Sequence, residues 1–239
     1  MKISFIIPAL DEEKRIAGVV KQFDVLKGKY DFEVIVADGG SRDNTVKIAK
    51  KLGAHVIQNK RETQNIAKNR NLGAKKAKGV LLVFCDADTR FCDLKVFVER
   101  IIDVFKNKNI IGGMPRVEVF PEERIFFDFL PHFFYNIGVR LSLFFKFVFS
   151  GGQCQIVRKK AFFEVGGYDE FRIHAEDSFL FKKLGRIGKL YFFKDLIVYE
   201  SPRRYRKVGY LRLSYFASKN ILSQILFKKE TIKKWEKVE

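Results

Sequence analysis

Four short apolar runs punctuate the first ninety residues: "ISFIIPA" (3–9), "FEVIVAD" (32–38), "AHVIQ" (54–58) and "VLLVFCD" (80–86). Their Val, Ile, Leu and Phe content is nearly continuous, the pattern of strands covered on both faces. Between them, "DEEKRIAGVVKQFDVL", "SRDNTVKIAKKLG" and "TQNIAKNRNLGAKKAKG" repeat apolar positions at helical spacing. Ser41 stands where an N-cap is expected, and Gly53 and Gly79 where helices stop. Strict alternation of the two patterns predicts βαβ units and a parallel sheet.

After residue 112 the alternation fails. "GGMPRVEV" reads as another strand, and an aromatic segment follows over 124–149. "GGQCQIVRKKAFFEVGGYDE" (151–170) has strand, short-helix and turn character; a helix starts near Glu176, and "KLYFFKDLIVYE" (189–200) supplies one or two late strands. No repeat, low-complexity tract or Gly/Ser/Pro linker divides the chain. The expected organisation is one α/β domain over 1–200, with halves 1–112 and 113–200, and a basic helical appendage over 201–239.

The aromatic segment decides the membrane question. Asp128, Arg140 and Lys146 interrupt it, leaving eleven uncharged residues from Phe129 to Val139. A spanning helix needs about 20 mainly apolar residues, so a transmembrane assignment is rejected. A helical pair packed on the core is the simpler expectation, and a surface-lying, lipid-facing segment is the alternative.

Composition sharpens the choice of partners. With 46 Lys and Arg against 28 Asp and Glu, the 239-residue chain carries a formal charge of +18. That balance favours anionic partners: nucleic acid, an acidic lipid surface or phosphorylated substrates. A Lys-rich solvated surface gives the same count. Residues 201–239 alone hold eleven Lys or Arg against three acids. The three cysteines, Cys85, Cys92 and Cys154, have no zinc-like spacing and read as reduced thiols. The amino-terminal apolar stretch is too short for a signal peptide, so a cytoplasmic protein, peripheral on the membrane at most, is expected.

Chemistry gathers at the strand ends, where open parallel sheets bind ligands. The first strand runs into Pro8, Ala9, Leu10, Asp11 and Glu12, the second ends at Asp38 in "ADGGSRDNT", and the fourth ends at Asp86 and Asp88. "DGGSRDNT" is neither G-x-G-x-x-G nor a Walker loop. Its glycines expose N–H groups before a helix, Asp38 suits a nucleobase or ribose, and a tight turn braced by Asp43 explains it as well. Acids at three strand tips weigh against a nucleic-acid backbone. The small Ala87 lets Asp86 and Asp88 converge on Mg²⁺ or Mn²⁺, which take such oxygens together with phosphates. A cation there joins acidic side chains to an anionic ligand and assists a departing diphosphate.

Four motifs in order, "SFIIPALDEE", "ADGGSRDNT", "AKNRNLGAKKAKGVLLVFCDADT" and "GGQCQIVRKKAFFEVGGYDEFRIHAEDSFLFKKLGRIG", resemble an inverting, nucleotide-sugar-dependent glycosyltransferase of family 2. The resemblance runs from about residue 3 to 190 and implies the GT-A fold, a Rossmann-like, mostly parallel sheet flanked by helices. It implies that Pro8, Ala9, Glu12 and Asp38 line the nucleoside pocket and that Arg70 lies near the base or diphosphate. Asp86 and Asp88 then serve the metal and sugar diphosphate, with Asp88 the direct ligand. Gly151 and Gly152 let backbone approach the sugar. Glu176 and Asp177 resemble the acidic pair whose aspartate is the catalytic base. A single in-line displacement needs such a carboxylate opposite the leaving group, and the helix start is expected to keep both acids ionised.

The chain departs from the family's processive members, because Gln-x-x-Arg-Trp is absent and "ESPRRYRKVGY" (200–210) stands after the last strand. This implies transfer of one sugar. Arg203, Arg204 and Arg206 either clamp a diphosphate or acceptor phosphate, since Arg binds oxyanions bidentately, or form a solvated basic loop. His174 is given no role, and His55 and His132 have no chemical setting. The expected activity is metal-dependent transfer from a UDP- or GDP-sugar to an acceptor such as a polyprenyl phosphate or lipid-linked glycan. A sugar-phosphate nucleotidyltransferase is the rival enzyme, although "IIPALDEEKR" lacks its glycines. A non-catalytic basic binder of membrane or nucleic acid is the rival of another class.

Overall fold

The computed structural model describes residues 1–144, 150–172 and 175–209. Eight strands form one sheet: β1 (Ile3–Ala9), β2 (Phe32–Asp38), β3 (His55–Gln58), β4 (Leu81–Cys85), β5 (Arg90–Phe91), β6 (Ile110–Val119), β7 (Cys154–Arg158) and β8 (Lys189–Glu200). Their spatial order is β3-β2-β1-β4-β7-β6-β8-β5. The first four pair in parallel, while β7 runs antiparallel to both β4 and β6. "KLYFFKDLIVYE" is therefore one strand, and the 112/113 division falls inside β6.

Helices cover both faces: α1 (Ile16–Lys21), α2 (Thr45–Lys51), α3 (Ile66–Lys76), α4 (Leu94–Val104), α5 (Phe126–Phe144), α6 (Lys159–Glu164), α7 (Glu176–Ile187) and α8 (Arg203–Val208). The continuous apolar runs follow from this. In β1, Ile3, Phe5 and Ile7 enter one core with Phe23, Val98 and Ile101, while Ile6 enters the other with Ala74, Leu180 and Leu184. In β4, Val83 and Cys85 face the first core and Leu82 and Phe84 the second. Alternate side chains point to opposite faces, so a strand covered on both is apolar at nearly every position; the buried Ser4 of β1 is satisfied by Glu33 and the Gly79 N–H. Gly73 lets α3 cross β1 closely, since a Cβ there would lie 2.5 Å from Ile6 Cγ2.

Three local expectations change in the fold. The stretch after β1 is not a long helix, and α1 begins only at Ile16. The N–H groups of Asp11, Glu12 and Glu13 donate instead to Ser41 Oγ, Thr45 Oγ1 and Asp43 Oδ2, at 2.8, 2.7 and 3.0 Å. Ser41 is consequently not the N-cap of α2; that position is Asn44, with no side-chain cap. Over its described residues the aromatic segment forms one 19-residue helix, not a helical pair, and residues 145–149 of it lie outside the described residues. Asp128, His132, Val139 and Ser142 are buried on α5, whereas Phe126, Leu130, Phe134 and Leu141 are exposed. No helix among the described residues is long and apolar enough to cross a membrane.

Candidate active site

The carboxyl ends of β1, β2 and β4 meet at one edge of the sheet. Ala9 stands in register with Asp38, and β4 pairs on the other side of β1, so β1 separates the Asp38 tip from the Asp86 tip. Pro8 and Ala9 are buried. Asp38 is fully buried, and its carboxylate accepts from the N–H groups of Gly40 and Ser41, each at 3.0 Å, and from the Ser41 hydroxyl. Asp43 braces the same loop through Thr45, at 2.9 Å to its N–H. Arg61 closes it from the outside, with Nη2 2.7 Å from Asp11 Oδ2 and Nη1 3.1 Å from the Gly40 carbonyl. Glu12 accepts from Arg15 at 3.0 Å. Crossed hydrogen bonds between residues 11–13 and 38–45 make this a preformed, rigid corner.

Arg70 is the centre of the site. It projects from α3 with a side chain only 1% exposed, and its two Nη atoms reach two distant motifs. Nη1 donates to Glu176 Oε1 at 2.9 Å, and Nη2 to Asp86 Oδ1 at 2.9 Å and to the Gly152 carbonyl at 3.0 Å. Its guanidinium lies over the Tyr168 ring at 5.3 Å, a cation–π contact. Nε is buried with no hydrogen-bond partner among the described residues. Arg70 thus joins the end of β4, the Gly151–Gly152 segment and the start of α7.

The glycines explain themselves within this arrangement. A Cβ on Gly152 would lie 2.7 Å from Arg70 Nη2 and 3.4 Å from Asp177 Oδ2, and one on Gly151 would lie 2.0 Å from the Tyr135 hydroxyl. Ser150 and Ser178 exchange hydrogen bonds at 3.0 and 2.8 Å, fixing the segment to α7. Ala175 precedes α7 at φ 53°, a left-handed conformation that costs a non-glycine residue about 1–2 kcal/mol and that aims the helix start at Arg70.

On the opposite wall, Arg203 of α8 donates from Nη2 to Asp88 Oδ2 at 3.1 Å, and its Nη1 is buried with no partner among the described residues. Arg206 does not join it: its Nη2 lies 2.9 Å from the buried Asp128 of α5 and on the Glu123 carbonyl. The Arg204 side chain lies outside the described part of the chain, as do Ile173, His174 and residues 210–239 of the expected appendage.

The glycosyl transferase family 2 profile matches residues 4–166, which is more than half of the chain. The chain belongs to glycosyltransferase family 2. Among curated relatives, the succinoglycan biosynthesis protein ExoA of Rhizobium meliloti is 26% identical over 196 residues, 77% of this chain and 58% of that protein. The dolichyl-phosphate beta-glucosyltransferase of Drosophila melanogaster is 30% identical over 137 residues, 49% of this chain and 42% of that protein. The chain therefore covers less than two thirds of these relatives. Its fold matches a mannosyltransferase of Pyrobaculum calidifontis, solved with GDP-Man and Mn²⁺, at a TM-score of 0.68 and 17% identity, covering 93% of this chain and 61% of that one. TarS of Staphylococcus aureus with UDP-GlcNAc matches at 0.65 and 20% identity, covering 95% and 72%. These likenesses show the GT-A fold.

In this family 2 chain the site is crowded with acid. Burial, and behind it Asp86, Glu200 and Glu12, pushes the Asp88 carboxyl up to about 7. Burial also raises Asp86, outweighing the Arg70 contact. Asp177 is pushed up to about 8, by burial first and by Glu176 next. The expectation that the α7 start keeps Asp177 readily ionised is thus overturned: desolvation outweighs the helix end.

Among the described residues no three His, Cys, Asp or Glu side chains converge as a complete metal cage. The donor set nevertheless fits a hard cation. Asp86 and Asp88 each spend one carboxylate oxygen on an arginine and keep the other, and Mg²⁺ or Mn²⁺ takes one or two protein oxygens and completes its shell with phosphate and water. Asp86 is held by the enclosed Arg70 and Asp88 by the more exposed Arg203, so Asp88 is the more available ligand.

Glu200, His132 and Thr89 also belong to the site, and none of them is among the residues expected there from the sequence. Glu200, at the end of β8, accepts from Tyr205 at 2.7 Å and from Gln153 at 3.0 Å, and lies 3.1 Å from His132 Nε2. His132 therefore has a setting after all, between Glu200 and the Asp128 carbonyl at 2.8 Å. Thr89 locks the Asp86 turn, its hydroxyl accepting from Asp86 N–H at 3.0 Å and donating to the Gln153 carbonyl at 2.9 Å. A Thr three residues after an Asp at a strand end was a readable turn signal.

Proposed function

We propose that the protein is a metal-dependent, inverting glycosyltransferase that moves one sugar from a UDP- or GDP-sugar to a lipid-borne acceptor, a polyprenyl phosphate or lipid-linked glycan. The observation that carries this reading is Arg70, whose two Nη atoms draw the Asp86–Asp88 and Glu176–Asp177 motifs to one cleft. Residues 1–112 supply the donor pocket, with Pro8, Ala9 and Glu12 at its floor and Asp38 holding its loop in shape. Residues 113–200 supply the acceptor side. Family membership weighs against a nucleotidyltransferase or a non-catalytic binder.

Asp88, with Asp86, would hold Mg²⁺ or Mn²⁺. When bound there, it would supply Lewis-acid neutralisation of the departing diphosphate. Arg203 contributes its unpartnered Nη1 to a diphosphate oxygen, and Gly152 leaves room beside Asp177 for the sugar. Asp177, facing that space, takes the acceptor hydroxyl proton as the acceptor oxygen bonds to the anomeric carbon. The bond from that carbon to the diphosphate breaks on the opposite face, and the configuration inverts. A carboxylate destabilised by burial is a stronger base than one in water. With a phosphate acceptor, already anionic, Asp177 orients instead.

The test is a thermal-shift screen of UDP- and GDP-sugars with Mn²⁺ or Mg²⁺. One donor stabilises the protein, and Asp88→Ala removes the shift. Equal shifts for every nucleotide, metal present or absent, would overturn the reading.

A further inference from the structure

The outer face of α5 is the one large apolar surface of the described protein that nothing covers. Phe126 is 87% exposed, Phe127 75% and Phe134 61%, and Leu130, Phe133, Ile137 and Leu141 continue the band. Positions 126, 130, 133, 137 and 141 share one side of a helix, and the helix is about 28 Å long for its 19 residues. The rings rest on one another, Phe129 stacking on Phe133 at 5.8 Å and Phe133 meeting Phe134 at 5.7 Å. Other exposed apolar side chains, such as Val25, Val80 and Phe163, lie on separate elements. A contiguous band of this kind marks an interaction surface.

Its charge selects the occupant. The only acid on α5, Asp128, is buried and paired with Arg206 at 2.9 Å, whereas Arg140 is exposed. Just before the helix Arg124 is half exposed and paired with Glu118 at 3.7 Å, beside the exposed Glu122, which is paired with Arg90, and the exposed Glu123. The same Arg206 contact ties α5 to α8, where the stretch with eleven Lys or Arg against three acids begins. A net charge of +18 opposes pairing with a second copy and favours an anionic surface.

We infer that α5 lies in the interface of an anionic lipid bilayer, its Phe and Leu side chains among the acyl chains and its arginines among the headgroups. Aromatic residues on one side and cations at the edges are the composition of interfacial helices. The inner side of the same helix reaches the site: the Tyr135 hydroxyl lies 3.5 Å from Gln153 Oε1, and His132 meets Glu200. Docking therefore sets the acceptor side of the cleft against the membrane, and in that purpose the inference rests on the lipid-acceptor reading.

The test is flotation of the full chain with vesicles of phosphatidylcholine alone and of phosphatidylcholine mixed with phosphatidylglycerol. The protein floats with the anionic vesicles. The triple variant Phe126→Ser, Leu130→Ser, Phe134→Ser lowers the partition coefficient roughly a hundredfold. Arg140→Glu lowers it roughly tenfold on the anionic vesicles only. Phe171→Ser, as exposed but off the helix, leaves it unchanged. Failure of the wild type to float, or flotation of the triple variant undiminished, would overturn the inference. So would light scattering that finds a wild-type dimer and a monomeric triple variant, because the face then belongs to a second copy. Nucleotide-sugar thermal shifts on the same samples report the donor site separately. Shifts without flotation sink only the docking surface, and flotation without shifts sinks only the transferase reading.

Discussion

Two arginines hold carboxylates in the same cleft, and they differ in how firmly. Arg70 is enclosed, with two acids, a carbonyl and an aromatic ring around one guanidinium. Arg203 reaches Asp88 from a short helix, both side chains are about a quarter exposed, and one of its nitrogens has no partner among the described residues. Removing one partner of a buried ion pair strands the other charge, whereas a half-exposed pair adds little. The difference assigns the first arginine to architecture and leaves the second free to exchange Asp88 for a ligand oxyanion.

That contrast is open to attack by mutation. The largest expected effect lies on the Arg70 side: Asp177→Asn lowers kcat about 10²–10⁴-fold if the acceptor is a hydroxyl. A modest loss, with donor binding intact, identifies a phosphate acceptor. Next comes Arg70→Met, which leaves Asp86 and Glu176 unpaired and costs about 3–5 kcal/mol. A fall in melting temperature on the order of 10 °C in calorimetry is the readout. If the protein melts unchanged, the enclosed arginine is not structural.

Arg203→Ala sharpens the other half. It weakens Mn²⁺-dependent nucleotide binding about tenfold by titration calorimetry, the worth of one charge-assisted hydrogen bond, and leaves the melting temperature nearly unchanged. A loss of stability matching that of Arg70→Met would erase the distinction.

A pH dependence tests the Arg70 side without any ligand. The Asp177 carboxyl sits above its unfolded value of about 4. Between that value and the folded one, the folded chain binds more protons than the unfolded chain, so this group's contribution to stability falls as pH rises. Without metal or nucleotide, Asp177→Asn therefore melts higher than wild type at pH 8 and the same near pH 4. The reverse order would mean that Asp177 is stabilised as an anion in the folded protein.

Much of the first hundred residues was legible because local physics repeats there. Continuous apolar runs gave β1 and β2 residue for residue, and β4 within a residue at each end, since strands covered on both faces admit few polar positions. The acidic tips were readable because carboxylates are rare at the ends of such runs. The short α1 was not, because Asp11 turns left-handed at φ 52° and the N–H groups of 11–13 are tied to Ser41, Thr45 and Asp43, contacts made only across the fold. Nor was the outer face of α5, since the aromatic periodicity of a buried helix and of a bare one is the same.

The sequence by itself determined the family, the alternating strands and helices, and the two acidic motifs with their glycines. These rest on side-chain type and spacing along the chain. Only the tertiary structure decided that Arg70 joins motifs 106 and 16 residues away, that Glu200 and His132 meet beside Gln153, and that Asp38 is spent on its own loop. Burial and charge crowding are sums over neighbours from the whole chain. Desolvation could outweigh the helix end at Asp177, and the outer face of α5 could be left uncovered by the described residues, only once those neighbours were in place.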